Sequence, residues 1–110
     1  MHIYHLKTCD TCKKAIKALA DRNPELTDVR ADGVAEADLK AWLEAVGADL
    51  LVNRKSTTWR NLNDAERAGD PLALLVAHPT LMKRPVIVDG DRVHVGWSKA
   101  VQEELGAAEA

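Results

Sequence analysis

No stretch of this 110-residue chain approaches the apolar length needed to span a membrane. Its opening residues, Met1-His2-Ile3-Tyr4-His5-Leu6, turn polar too soon for a secretory signal. Surplus basic charge is missing too. The formal net charge of −2 leaves no electrostatic footprint for general nucleic-acid binding. The histidines His2, His5, His78 and His94 show no paired ligand spacing, so no metal site is expected. Internal repeats, low-complexity segments and a second-domain boundary are also lacking. These absences leave one cytoplasmic domain over residues 1–110, with no membrane or direct nucleic-acid partner.

Cysteine is scarce, and its placement is informative. The two residues, Cys9 and Cys12, stand in Thr8-Cys9-Asp10-Thr11-Cys12-Lys13-Lys14, where a first strand hands over to a first helix. In a reducing compartment such a pair points to catalysis or metal binding more than to a structural staple. A free thiol ionises near pH ~8.5, so only a few per cent is thiolate at neutrality. The free N–H groups and positive end of a helix favour the thiolate, the form that attacks disulfides and oxidised substrates. The dipole supplies roughly 0.3–1 kcal/mol, up to about 2 when partly buried. A shift of two pKa units needs about 2.7 kcal/mol. Further cationic help is therefore expected, from Lys13, Lys14 or an arginine brought in by the fold, with Asp10 opposing it.

The two thiols are not equivalent. Cys9 precedes the helix and is the nucleophile candidate. Cys12 begins a stripe continued by Ile16 and Leu19, and either resolves a mixed disulfide or serves as a small buried hydrophobe. Their i, i+3 spacing permits a Cα separation of roughly 5–6 Å, within disulfide range.

Hydrophobic content of 46% with 29% charged residues is that of a globular chain. Residues 2–6 read as a buried strand, 10–21 as a helix and 26–29 as a second strand. Leu39, Trp42, Leu43 and Val46 form a helical face that stops at Gly47. Asn63 and Glu66 have capping-box spacing, and Asp70-Pro71 opens a helix that His78-Pro79 ends. Val86–Val88 and Val93–Val95 flank Asp89-Gly90-Asp91, a three-residue hairpin signal. Ser98 caps a last helix through Leu105, and Gly106 begins a small-residue tail. The order β-α-β, helices, β-hairpin, α predicts an α/β, thioredoxin-like fold. Its four-stranded mixed sheet is flanked by helices, with a helical insertion at about 34–80.

Three separated segments share a family resemblance. Tyr4 to Ala15 resembles the active-site loop of the ArsC family, which includes arsenate reductases, Spx regulators and YffB-type proteins. Leu51-Val52-Asn53-Arg54-Lys55-Ser56-Thr57-Thr58-Trp59-Arg60 resembles its central arginine segment, closest to the YffB-type form. His78-Pro79, Lys83-Arg84-Pro85-Val86-Ile87-Val88 and Val95-Gly96-Trp97 resemble its C-terminal signature. Asp28 to Gly33 is also similar to the YffB type.

The resemblance implies a thiol-dependent reductase in which Cys9 is the nucleophile. Arg54 and Arg84 match anion-handling arginines, and Pro85 matches a cis-proline before a core strand. Planar guanidinium groups suit carboxylates and oxyanions. No tightly bound cofactor is expected, and glutathione is the expected co-substrate. The family's third arginine would fall near Val95, where nothing basic stands, so arsenate is not the expected physiological substrate. The competing expectation is an Spx-like redox sensor whose Cys9–Cys12 disulfide switches binding to the RNA polymerase α subunit, although the long Spx tail is missing. Trp42 and Trp59 are expected in the core, with Trp97 beneath the last helix. Thr8 and Thr11 are substrate-contact candidates whose simpler role is helix capping.

Overall fold

The computed structural model describes residues 1–106. The small-residue tail expected beyond Gly106 lies outside them. By contacts the chain divides into two compact units, Met1–Asp32 with the segment from Arg84 onward, and Gly33–Lys83.

In the first unit, β1 (His2–His5), β2 (Glu25–Asp28), β3 (Val86–Asp89) and β4 (Arg92–Val95) form a sheet of order β2-β1-β3-β4. β1 runs parallel to β2 and antiparallel to β3, and β3 runs antiparallel to β4. Helices α1 (Asp10–Ala18) and α7 (Lys99–Glu104) complete the unit. This is the thioredoxin-like mixed sheet flanked by helices that the sequence predicted.

Alternation along the strands explains where its core lies. Ile3 and Ile87 sit opposite each other on neighbouring strands. Together with Leu19 and Leu105 they are buried, and Ile16, Val101, Met1 and Trp97 pack against them. Trp97 thus takes its predicted place. Full burial of each such aliphatic side chain contributes about 1.5–3 kcal/mol. The Nδ1 atom of buried His94 lies 3.1 Å from the Glu104 carboxylate, tying β4 to α7. Arg22 donates to the Leu105 carbonyl, closing the end of α7.

Two boundaries differ from expectation. The first helix stops at Ala18, and a 3₁₀ turn over Ala20–Arg22 leads to Asn23 in the left-handed region, φ 48°. Pro24 cannot supply the N–H that a continuing helix needs. In the hairpin, Asp89 and Arg92 pair directly, so the loop has two residues where three were expected. Gly90, at φ 62°, occupies the position where a tight hairpin turn requires the left-handed region.

The second unit contains α2 (Glu36–Val46), α3 (Ala48–Leu51), α4 (Thr57–Arg60), α5 (Asp64–Arg67) and α6 (Pro71–Ala77). Short helices need outside support because few of their N–H groups have intrahelical partners. Side-chain caps supply part of it. Ser56 Oγ accepts from the Trp59 N–H at 3.1 Å, and Asp70 Oδ2 accepts from the Ala73 N–H at 3.1 Å. Asn63 and Glu66 form the predicted capping box, at 2.8 and 2.9 Å. Gly47 ends α2 as expected, at φ 85°. Leu39, Trp42, Leu51, Leu62, Leu75, Leu81 and Met82 are the unit's large buried side chains.

Candidate active site

The loop from Leu6 to Cys9 leaves the end of β1 and delivers Cys9 to the head of α1. Cys9 is itself the helix N-cap: its Sγ accepts from the Cys12 N–H at 3.4 Å. Thr8 and Thr11 are both exposed, and the capping role expected of them is taken by the sulfur. The Cys9 N–H in turn donates to the Leu6 carbonyl at 2.9 Å, fixing the loop just ahead of the helix. Both thiols are free, Cys9 half-buried and Cys12 buried.

Cys12 has 0% exposure and its thiol is pushed up to about 12. Burial is the largest cause, and the hydrogen bond to Cys9 and the charge of Cys9 add to it. A backbone contact from Leu6 and the positive field of Arg84 pull the other way. Cys12 is consequently a protonated thiol at neutral pH, in a place where burial disfavours its negative charge. The peptide bond between Arg84 and Pro85 is cis, in keeping with the expectation for Pro85. The Pro85 carbonyl accepts from the Gly96 N–H at 2.8 Å. One unit therefore holds Cys9, Cys12, Thr8, Thr11, Arg84 and Pro85.

A feature that sequence reasoning passed over lies beside the cysteine loop. Asp28, only 6% exposed, ends β2. Its carboxylate accepts from the N–H groups of Arg30 and Ala31, both at 2.9 Å, and of Lys7 at 3.3 Å. The Ala31 N–H is the largest influence holding this carboxyl below its usual range; Arg30, Lys7 and the nearby His5 reinforce it against partial burial. Asp28 thereby joins its own turn to the loop that carries Cys9. An Asp followed by small and turn-forming residues, Asp28 to Gly33, was the available signal.

Arg54 belongs to the second unit. Its guanidinium pairs with Asp49 at 3.0 Å and stands 5.7 Å from the centroid of the Trp59 ring. Arg67 approaches the same ring at 5.7 Å. Trp59, expected in the core, is half-buried because its indole serves as a platform for these two cations. Arg54, Lys55 and Lys83 share a cavity of about 430 Å³ with Asp49, which gives that cavity a net positive lining. Among the described residues, no cluster of three or more His, Cys, Asp or Glu side chains is arranged to hold a metal ion.

Comparison with known proteins agrees with this architecture. The model of the ArsC family matches residues 4–105. An uncharacterised protein of Haemophilus influenzae is 41% identical over 103 residues, covering 88% of this chain and 90% of that protein. Global transcriptional regulator Spx 2 of Bacillus cereus is 23% identical, over 88% of this chain and 79% of the regulator. Among solved structures, a protein named YffB superposes with a TM-score of 0.84 at 31% identity, covering 93% of this chain and 95% of its own. An arsenate reductase (ArsC) related protein from Brucella melitensis gives a TM-score of 0.70 at 34% identity, over 96% and 93% of the two chains.

Proposed function

Because the chain belongs to the ArsC family, we propose that it is a cytoplasmic thiol-dependent reductase of the YffB type, with Cys9 as its nucleophile. The observation that carries this reading is the Cys9 sulfur at the helix head, accepting the Cys12 N–H. A helix N-terminus favours a negative sulfur, and a backbone donor cannot swing away. Cys9 attacks a disulfide, mixed disulfide or oxyanion substrate. With a disulfide, a Cys9–sulfur bond forms as the substrate bond breaks, and the departing sulfur leaves with the electron pair as a thiolate.

Arg84 and Arg54 are the anion-binding residues in this scheme, and Thr8, Thr11 and Pro85 the substrate contacts. The mixed disulfide is released by Cys12 or by an external thiol such as glutathione. Burial disfavours ionisation of Cys12, so glutathione is the better attacking group. Replacing Cys9 by Ser abolishes turnover of a glutathione mixed disulfide, and unchanged turnover rejects the assignment. Replacing Cys12 by Ser leaves glutathione-driven turnover in place; its loss assigns release to Cys12.

A second reading is favoured by one observation, the buried partner thiol Cys12 hydrogen-bonded to Cys9. There the pair acts as a redox switch on a protein partner, as suggested by the likeness to Spx. Capture of the isolated RNA polymerase α subunit by oxidised but not reduced protein supports it, and equal or absent capture removes it.

A further inference from the structure

A cavity of about 200 Å³ opens at the carboxyl ends of β1 and β2, lined by Leu6, Lys7, Thr8, Asp28, Arg30 and Ala31. Thr8 is the residue before Cys9, so this cavity borders the cysteine loop. The carboxyl ends of parallel strands are a recurrent place for ligands in α/β sheets. The lining carries two cations and one anion. The Asp28 carboxylate is already engaged by three backbone N–H groups. Among the described residues the Lys7 and Arg30 side chains enter no ion pair or hydrogen bond, and both are exposed.

We propose that this cavity is a carboxylate subsite, in which Lys7 and Arg30 hold the carboxylate arm of a small peptide thiol or its disulfide while its sulfur meets Cys9. This rests on the reading of Cys9 as a thiol-exchange nucleophile. Dimensions favour such a ligand. Lys7 and Thr8 form the turn closed by the Cys9 N–H on the Leu6 carbonyl, so Lys7 stands two residues from Cys9 and within the roughly 7 Å that two extended residues would span. A carboxylate one amino acid beyond a cysteine sulfur covers a similar length. A free guanidinium and a free ammonium beside one apolar wall, Leu6, also suit a carboxylate better than a neutral group. The exchange is balanced: Cys9 thiolate and a peptide disulfide give the Cys9 mixed disulfide and one peptide thiolate.

The test compares two disulfides on the full chain under single-turnover conditions: glutathione disulfide, which carries carboxylates, and hydroxyethyl disulfide, which is neutral. The double variant Lys7→Gln/Arg30→Gln is expected to slow glutathione disulfide roughly tenfold, as loss of charge-assisted bonds implies. Hydroxyethyl disulfide is expected to keep its rate, and Lys7→Arg/Arg30→Lys to restore most of the glutathione rate. An unchanged glutathione rate, or equal slowing of both disulfides, overturns the subsite while leaving Cys9 as the nucleophile. A wild-type chain inert to both disulfides overturns the reading of Cys9 and the subsite with it.

Discussion

In the sheet unit, backbone ladders join residues far apart in sequence, and Ile3, Leu19, Ile87 and Leu105 close over one buried cluster. In the helical unit, two of the three four-residue helices, α4 and α5, are capped by Ser56 and Asn63, and Asp70 does the same for the longer α6. The two arginines proposed to handle anions follow the same division. Arg84 adjoins the cis peptide that enters β3, and its field reaches a buried thiol. Arg54 is half exposed and leans on an Asp49 partner that is itself almost fully exposed. The difference lies in how each unit is held: long-range strand pairing over a shared core in one, local capping of short helices in the other.

The contrast is open to direct attack. Ile87→Ala removes a fully buried side chain at the centre of the sheet. It is expected to destabilise the protein by about 2–5 kcal/mol in urea unfolding. A loss below that of a single helix cap would break the contrast.

Next in size is the alkaline limb of stability. In the unfolded chain the Cys12 thiol ionises near pH ~8.5, and in the folded protein at about 12. Between those values the unfolded state releases a proton that the native state keeps. The stabilisation is therefore complete below pH ~8.5 and is lost as pH rises toward the folded value. Cys12→Ala flattens that limb in a series of urea titrations; an unaltered slope contradicts the burial argument.

Asn63→Ala removes the side-chain half of the capping box, the bond that Asn63 Oδ1 accepts from the Glu66 N–H, and keeps the backbone half. It is expected to cost about 1 kcal/mol, with thermal unfolding as the measurement. A cost matching Ile87→Ala would erase the difference between the units. Smallest of all is Asp49→Ala. The exposed ion pair contributes about 0–1 kcal/mol, so stability stays nearly constant. The released Arg54 is expected to bind sulfate more tightly, read by titration calorimetry, and unchanged affinity would show that Asp49 does not compete for it.

Periodicity and turn chemistry carried much of the fold into view. Ile3 and Ile87, Gly47, Asn63 with Glu66, and Asp70-Pro71 all act as their residue types dictate. The cap of α1 was hidden because cysteine is not among the usual capping residues, while Thr8 and Thr11 are. Trp59 was misread because an apolar ring on a short helix looks like core until its cationic neighbours are placed. Arg54 and Asp49 are five apart with a helix end between them, so no helical spacing announces their pairing. The Asp28 clamp depends on the parallel register of His5 with Asp28, which links distant positions that no local pattern connects.

The strand order has a consequence for biosynthesis. β1 lies between β2, which follows it closely, and β3, whose first paired residue is Val86. At a ribosomal pace of roughly 5–20 residues per second, one edge of β1 waits on the order of 4–16 s for its second neighbour to be made. A nascent chain thus carries an incomplete two-stranded ribbon beside its cysteine loop until β3 has been made, and through that interval one edge of β1 is open to pairing with other chains.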